Sequence, residues 1–503
     1  MRGALPFTGE HIRGWRVSGT GLTVRDVGGV AGGVGSVRPA WSARSVSALL
    51  ALGFGIALCW AVAVLLARDG RNPLLVYNGA FAVAFLLYLL AGARVVADPT
   101  AVRGRAGLLA AILGLALLPR LILLASTPAL SDDLYRYIWD GKVANAGEDP
   151  YRYAPDAPEL APLRDRLWAP INQKAQHTPY PPAAQAVFAL TYRLAPDSVK
   201  AQQLVAMLAD LLAIGALLLL LARLGLPRER VLLYAWSPTP MLHFAHSAHN
   251  DALMIAAALL ALALAVGPVP AGGAGVARRM GGGAALACAA LVKLVPLLLV
   301  PLLLRRWRVL GTLACGLALA GGVAPFLGTG PAALAGLGTE AGEAVFNDSV
   351  HYVLVRVLAR FTDAPGTVAS LIAAGTLVVA AIVLAVRGGD DLALVRGAAL
   401  LLGLVILLNA VVEPWYLAWM LPFVAVCLRP GPGRWPFAPT PLLGWLWLSG
   451  AVQLTDLTYL SPTNARWWPL IRLVEYGPFL AIALAGLLMA RPRGVRRAAT
   501  TGA

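Results

Sequence analysis

Apolar runs of about 20 residues recur along this chain from Val46 to Ala490, and each is long enough to cross the hydrocarbon core of a bilayer as an α-helix. Charged residues make up 13% of the 503 positions, about half of the share that is usual in soluble domains. The sequence lacks the alternating pattern of a membrane β-barrel. It therefore predicts an all-α, polytopic integral membrane protein.

The formal net charge of +16 does not indicate nucleic-acid binding, because most arginines lie in tails and short loops between the apolar runs. Positive-inside sorting produces this distribution. It predicts cytoplasmic termini and places the segments 126–182 and 328–350 on the outer side. The predicted organisation is a disordered basic tail (1–45), a transmembrane domain (46–490) with an outer catalytic loop (126–200), and a second basic tail (491–503).

The predicted crossings lie at about 46–66, 74–93, 107–125, 201–222, 231–245, 252–267, 309–327, 368–386, 393–412, 415–428, 440–457 and 469–490. Two further apolar segments do not fit simple crossings. Ala183–Leu194 is too short to span a bilayer, which favours an interfacial helix. The run 283–304 has arginines on both flanks and contains Lys293 and Pro296, which favours a broken, re-entrant hairpin with both ends on the cytoplasmic side.

Two adjacent carboxylates, Asp132 and Asp133, follow the third predicted crossing in the most polar part of the chain. Ionisable groups at a membrane are costly and commonly functional, so at least one of them is expected to act as a general base or a metal ligand. The alternative for one of the two is a helix N-cap, a position at which aspartate is common.

Other polar residues are expected near these carboxylates. His246, His249, Asn250 and Asp251 lie between two predicted crossings, and Glu413, Trp415 and Tyr416 between another pair. With His243, the histidines form an i, i+3, i+6 strip, and the lining of a polar cavity is favoured over a zinc site. Lys293 lies within an apolar run and needs an anion, either a donor phosphate or a carboxylate such as Glu413 or Asp251.

The order of these motifs resembles a known superfamily. The motifs are the acidic pair, the Tyr180-Pro181-Pro182 turn, His249-Asn250-Asp251 and the Lys293-x-x-Pro296 hairpin. Together they resemble the GT-C polyprenyl-phosphate-sugar-dependent glycosyltransferases, in particular bacterial polyprenol-phosphate-mannose-dependent mannosyltransferases, over most of 107–430. In those enzymes aromatic residues follow the catalytic aspartate by two or four positions, as Tyr135 and Tyr137 follow Asp133.

The resemblance implies transfer of a hexose, with mannose favoured, from a polyprenyl-phosphate donor to a glycolipid or cell-envelope glycan at the outer face of the cytoplasmic membrane. It implies an inverting displacement with an aspartate base, no certain cofactor and, as an open question, a divalent cation. The candidate residues are Asp133 and Asp132 for catalysis, Lys293 and Arg136 for the donor phosphate, and Tyr137, Tyr180, His246, His249, Asn250, Asp251, Glu413, Trp415 and Tyr416 for substrate binding.

Two other classes of function remain open on the sequence. Broken helices and buried ions also suit a secondary transporter, although a long polar loop with two carboxylates suits it less. A polymerase or ligase of lipid-linked glycans would share the membrane fold. A non-catalytic scaffold would not explain Lys293.

Overall fold

The computed structural model describes residues 43–98, 103–329, 346–431, 436–460 and 467–489. Most of the first predicted tail, all of the second and most of the predicted outer segment 328–350 therefore lie outside the described residues. Across those ranges the chain is helical and contains two isolated β-bridges but no strand, which confirms the all-α prediction. The α-helices of seven or more residues are α1 (Ala43–Arg68), α2 (Pro73–Ala97), α3 (Ala106–Leu124), α4 (Asp133–Asn145), α5 (Pro182–Leu194), α6 (Val199–Arg223), α7 (Asp251–Ala265), α8 (Gly272–Val292), α9 (Val300–Val323), α10 (Val350–Leu358), α11 (Pro365–Arg387), α12 (Asp391–Leu408), α13 (Leu421–Cys427), α14 (Pro441–Ala451) and α15 (Trp467–Met489).

Within the described residues, eight helical segments are long and apolar enough to cross a bilayer, and each overlaps a predicted crossing. The protein is therefore a multi-pass membrane protein. The segments are Arg44–Arg68, Pro73–Ala97, Ala106–Leu124, Val199–Arg223, Val295–Thr329, Pro365–Arg387, Asp391–Leu408 and Trp468–Met489.

The other four predicted crossings fall on shorter or broken helices. The run 252–267 is α7, of 15 residues, and 415–428 is a 3₁₀ segment (Pro414–Trp419) followed by α13. The run 440–457 is divided between α14 and a 3₁₀ segment (Val452–Leu460). The run 231–245 is a series of short helical turns that ends in a π-helix (Met241–His246), and all of it is buried. Hydropathy alone does not distinguish such protein-buried segments from lipid-facing spans.

The predicted hairpin around Lys293 is present and begins earlier than expected. Helix α8 has 21 residues and is thus about 31 Å long. It ends at Lys293, whose backbone is extended (φ −153°, ψ 132°). The chain then returns along α8, because Gly282 lies against Trp307. At Arg308 a left-handed backbone (φ 55°) reverses the chain again, and Gly322 packs against Leu291 at the far end of α8.

Helices α4 and α5 lie in the polar segment that connects α3 to α6, and they pack against each other. They pack closely at Gly141, where a Cβ atom would collide with the carbonyl group of Phe188. Asp140 on α4 accepts hydrogen bonds from Thr178 and Gln185, which ties the long connection and α5 to α4. The prediction of a helix at Ala183–Leu194 is confirmed by α5 (Pro182–Leu194).

A buried ion pair joins the spans α3 and α6. Arg120 in α3 donates to Asp210 in α6 at 2.6 Å, and both side chains are fully buried. Arg120 also donates to the carbonyl oxygens of Ala116 and Ala235, and the Tyr234 hydroxyl donates to Asp210. Removing one partner of such a pair would leave a buried charge uncompensated, so this pair fixes how α3 and α6 pack.

Candidate active site

The two adjacent carboxylates point to different environments. Asp132 is the N-cap residue of α4, but its side chain makes no capping hydrogen bond and is exposed. Asp133 is the first residue of α4, and its side chain is only 22% exposed. Burial and repulsion from Asp133 raise the pKa of Asp132, with Lys174 acting in the opposite direction. The structure therefore separates a solvent-facing carboxylate from an inward-facing one.

The Asp133 carboxylate is held between two side chains. The Asn172 amide donates to Oδ1 at 2.9 Å, and Nδ1 of His249 lies 3.4 Å from Oδ2. Burial alone would raise the pKa of Asp133. The contact with His249, the hydrogen bond from Asn172 and the charge of Lys293 outweigh burial and lower this pKa below its ordinary value. Asp133 is thus ionised near neutral pH, as a proton acceptor must be before it reacts.

His249 connects Asp133 to the segment that precedes α13. Its ring stacks on Trp415, with centroids 3.6 Å apart and an interplanar angle of 18°. Nε2 of His249 is buried and has no hydrogen-bond partner among the described residues. Because leaving a buried polar atom unpaired is costly, this nitrogen is a candidate contact for a bound substrate.

Lys293 approaches the same site from the turn of the hairpin. Its ammonium group lies 3.0 Å from Oδ1 of Asp251 and 4.0 Å from the centre of the Tyr416 ring. The Trp419 indole also donates to Oδ1 of Asp251, at 2.8 Å. Of the two anions expected for Lys293, a protein carboxylate is therefore present. The Lys293 side chain is still 25% exposed, which leaves room for an additional anion.

Three of the predicted site residues are buried in the supporting structure instead. Arg136 donates to Asp140 at 2.9 Å and to the carbonyl oxygen of Gln176 at 3.1 Å, so we do not assign it to the donor phosphate. Tyr137 stacks on Phe188 with centroids 4.7 Å apart. His246 lies 2.8 Å from the Ser126 hydroxyl and accepts from the backbone of Ala129. These contacts make the three residues anchors of the site and leave no open surface for substrate.

The three histidines do not converge on one point. His243 contacts Gln453 at 3.0 Å, His246 contacts Ser126 and His249 contacts Asp133. Within the described ranges, no group of three or more His, Cys, Asp or Glu residues is arranged to hold a metal ion. The arrangement suits proton transfer and hydrogen bonding to a polar substrate.

Two contacts of the candidate site were missed by the sequence interpretation. Asn172 lies in the long connection, 39 positions from Asp133, and belongs to no recognisable motif. Trp419 was assigned to the apolar run 415–428, but it contacts Asp251. Partly buried Tyr180 packs edge-on against Tyr137, with ring centroids 5.1 Å apart. Asn250 is the N-cap residue of α7.

The structure thus shows a helical membrane protein in which Asp133 contacts His249 and Lys293 contacts Asp251. Residues 27–309 match the family model described as "Alpha-(1->6)-mannopyranosyltransferase, N-terminal domain". Since this match covers more than half of the chain, the protein belongs to that family and is a membrane glycosyltransferase. The likeness to mannosyltransferases that the motifs indicated is confirmed.

A solved structure also resembles the chain. It is the crystal structure of ArnT from Cupriavidus metallidurans bound to undecaprenyl phosphate, with 14% sequence identity and a TM-score of 0.43. The similarity covers 76% of this chain and 77% of that one. No curated protein sequence matches the chain. Glu413, Trp415 and Tyr416 lie beyond the end of the family match.

Proposed function

We propose that this protein transfers a mannosyl residue from a polyprenyl-phosphate donor to a hydroxyl group of a glycan or glycolipid acceptor. The observation that carries the proposal is the Asp133 carboxylate, which Asn172 and His249 keep ionised within electrostatic reach of the ammonium group of Lys293. The family description names an α-1,6-mannosyl product, which supports mannose as the sugar.

The proposed reaction is a single displacement at the anomeric carbon. Asp133 accepts the proton of the acceptor hydroxyl as the oxygen attacks, and the new glycosidic C–O bond forms. The C–O bond to the phosphate breaks on the opposite face, and its electron pair leaves with the polyprenyl phosphate. One carboxylate suffices for this step, in contrast to the paired carboxylates of glycoside hydrolysis. Inversion at a β-linked donor gives an α-linked product.

Lys293 is the proposed contact for the leaving phosphate. Negative charge grows on the phosphate oxygens as the bond breaks, and a fixed cation stabilises that charge. Lys293 is partly exposed and lies within electrostatic reach of Asp133, so one site can hold both the donor phosphate and the acceptor hydroxyl. The apolar faces of the spans give the polyprenyl chain a membrane environment.

A donor screen tests this proposal. Purified protein in lipid nanodiscs is incubated with α-1,6-mannobiose and, in parallel, with polyprenyl-phosphate mannose, polyprenyl-phosphate glucose or GDP-mannose. Mass spectrometry should detect a trisaccharide with polyprenyl-phosphate mannose only. Product from GDP-mannose would contradict a lipid-linked donor. Uptake of sugar into sealed vesicles without formation of a new bond would favour the transporter alternative.

The proposed site faces the outside of the cytoplasmic membrane. We expect a cysteine at exposed Glu159 to react with an impermeant thiol reagent in intact cells, and a cysteine at exposed Ala274 to react only after lysis. The four native cysteines are first replaced by alanine so that only the introduced thiol reports. Labelling of position 274 in intact cells would overturn both this orientation and the cytoplasmic start of the hairpin.

A further inference from the structure

Residues 346–351, which we call the strap, carry a second group of aromatic and polar side chains. The backbone of Phe346 pairs with the segment that precedes Glu413: its N–H donates to Ala410 at 3.0 Å, and its carbonyl oxygen accepts from Val412 at 2.8 Å. Two residues after Glu413 is Trp415, which stacks on His249. Phe346 is thus connected through residues 410–415 to His249, the side chain that contacts Asp133.

The strap is also fixed to α15. Asp348 pairs with Arg472 at 2.8 Å and with His351 at 3.2 Å. Asn347 donates to Glu475 at 2.8 Å, and the Tyr476 hydroxyl donates to the carbonyl oxygen of Asn347. These contacts attach the residues that follow Phe346 to α15, while the backbone of Phe346 itself pairs with the segment before Glu413.

Tyr459 is the ring that packs on Phe346. The two rings stack with centroids 6.1 Å apart and an interplanar angle of 27°, yet 60% of the Tyr459 surface remains exposed. Burial, followed by the charges of Glu413, Asp456 and Asp133, raises the pKa of Tyr459. Through Phe346, whose carbonyl oxygen accepts from Val412, the exposed Tyr459 ring is linked to partly buried Glu413, the residue that follows Val412.

An exposed tyrosine in a membrane protein commonly belongs to the interfacial aromatic belt. Asp456 lies in the same 3₁₀ segment as Tyr459, and Glu413 is linked to Tyr459 through Phe346. These two carboxylates distinguish Tyr459 from a lipid-facing residue, because lipid acyl chains are poor neighbours for charged groups. A pyranose ring fits this environment better. Its C–H groups can pack on an aromatic face, and its hydroxyl groups can donate to carboxylate oxygens.

We propose that Tyr459 and Glu413 form the subsite for the acceptor, with a neutral hexopyranose of a glycan stacked on Tyr459 and hydrogen-bonded to Glu413. This inference rests on the proposed transferase function. Both residues lie beyond residues 27–309, the part of the chain that matches the family. Donor binding at Lys293 and acceptor binding at Tyr459 would then depend on different parts of the sequence.

Direct binding of α-1,6-mannotriose to the full-length protein in nanodiscs, measured by saturation-transfer NMR without donor, tests the subsite. Tyr459→Leu should weaken binding about 10-fold, the scale of one lost aromatic contact. Tyr459→Phe should bind within about threefold of wild type because it keeps the ring. Glu413→Gln should weaken binding less than Tyr459→Leu does. Phe361→Leu, at a ring that is 79% exposed, is the matched control and should not change binding.

The KM values for acceptor and donor complete the test, and thermal unfolding confirms that each variant is folded. Tyr459→Leu should raise the acceptor KM while the donor KM stays constant. Unchanged mannotriose affinity in Tyr459→Leu, an equal loss in Phe361→Leu, or no binding by wild type would overturn the subsite. Binding that depends on Tyr459 without transfer from any lipid-linked donor would support the subsite and refute the proposed donor chemistry.

Discussion

Asp133→Asn should lower the turnover number by about 10²-fold or more, which is the scale of losing a general base. The asparagine keeps the size of the side chain and can still accept from Asn172, so expression, thermal stability and donor binding should stay close to wild type. The variant loses the negative charge and the carboxylate oxygen that faces His249, which together make Asp133 the proposed proton acceptor. Single-turnover assays with saturating polyprenyl-phosphate mannose and acceptor give the rate of the chemical step directly.

Asp132→Asn is the matched control, because Asp132 is adjacent in sequence but exposed and makes no capping bond. It should retain turnover within about threefold of wild type. Asn172→Leu should move the acidic limb of the pH–rate profile to higher pH, because it removes a hydrogen bond that lowers the pKa of Asp133. Near-normal turnover in Asp133→Asn together with a collapse in Asp132→Asn would assign the base to Asp132.

Local charge and hydropathy sufficed to predict the long spans and the hairpin. The hairpin could be inferred because its arginines and Lys293 lie close together in sequence, and each has a strong individual preference for one environment. The contact between Arg136 and Asp140 could also have been anticipated from their i, i+4 spacing, which favours an ion pair on one helix.

The composition of the site could not be predicted in the same way, because its contacts are long-range. Asn172 reaches Asp133 only because the connection between α4 and α5 folds back over α4. The prediction that His243, His246 and His249 form a strip assumed α-helical periodicity. The segment Met241–His246 is a π-helix, and a π-helix changes the angular spacing of side chains. His243 and His246 therefore contact other partners, and only His249 reaches the acid.

Lys293→Met should separate the structural role of Lys293 from its proposed role at the donor phosphate. The substitution leaves Asp251, which is 2% exposed, without its cationic partner. Breaking a buried pair in this way costs on the order of 3–5 kcal/mol, and the partial exposure of Lys293 favours the lower end of that range. We expect a lower free energy of unfolding without donor and, if the lysine also contacts the phosphate, weaker donor binding.

The double variant Lys293→Met/Asp251→Asn resolves the two roles, because it removes both charges while the asparagine can still accept from Trp419. We expect it to recover most of the lost stability, as measured by chemical unfolding in nanodiscs. Its affinity for polyprenyl-phosphate mannose should nevertheless stay at least about 10-fold below wild type, since no cation remains to meet the phosphate. If the double variant instead regains wild-type donor affinity together with its stability, Lys293 serves only to neutralise Asp251, and the cation for the leaving phosphate must be sought elsewhere in the site.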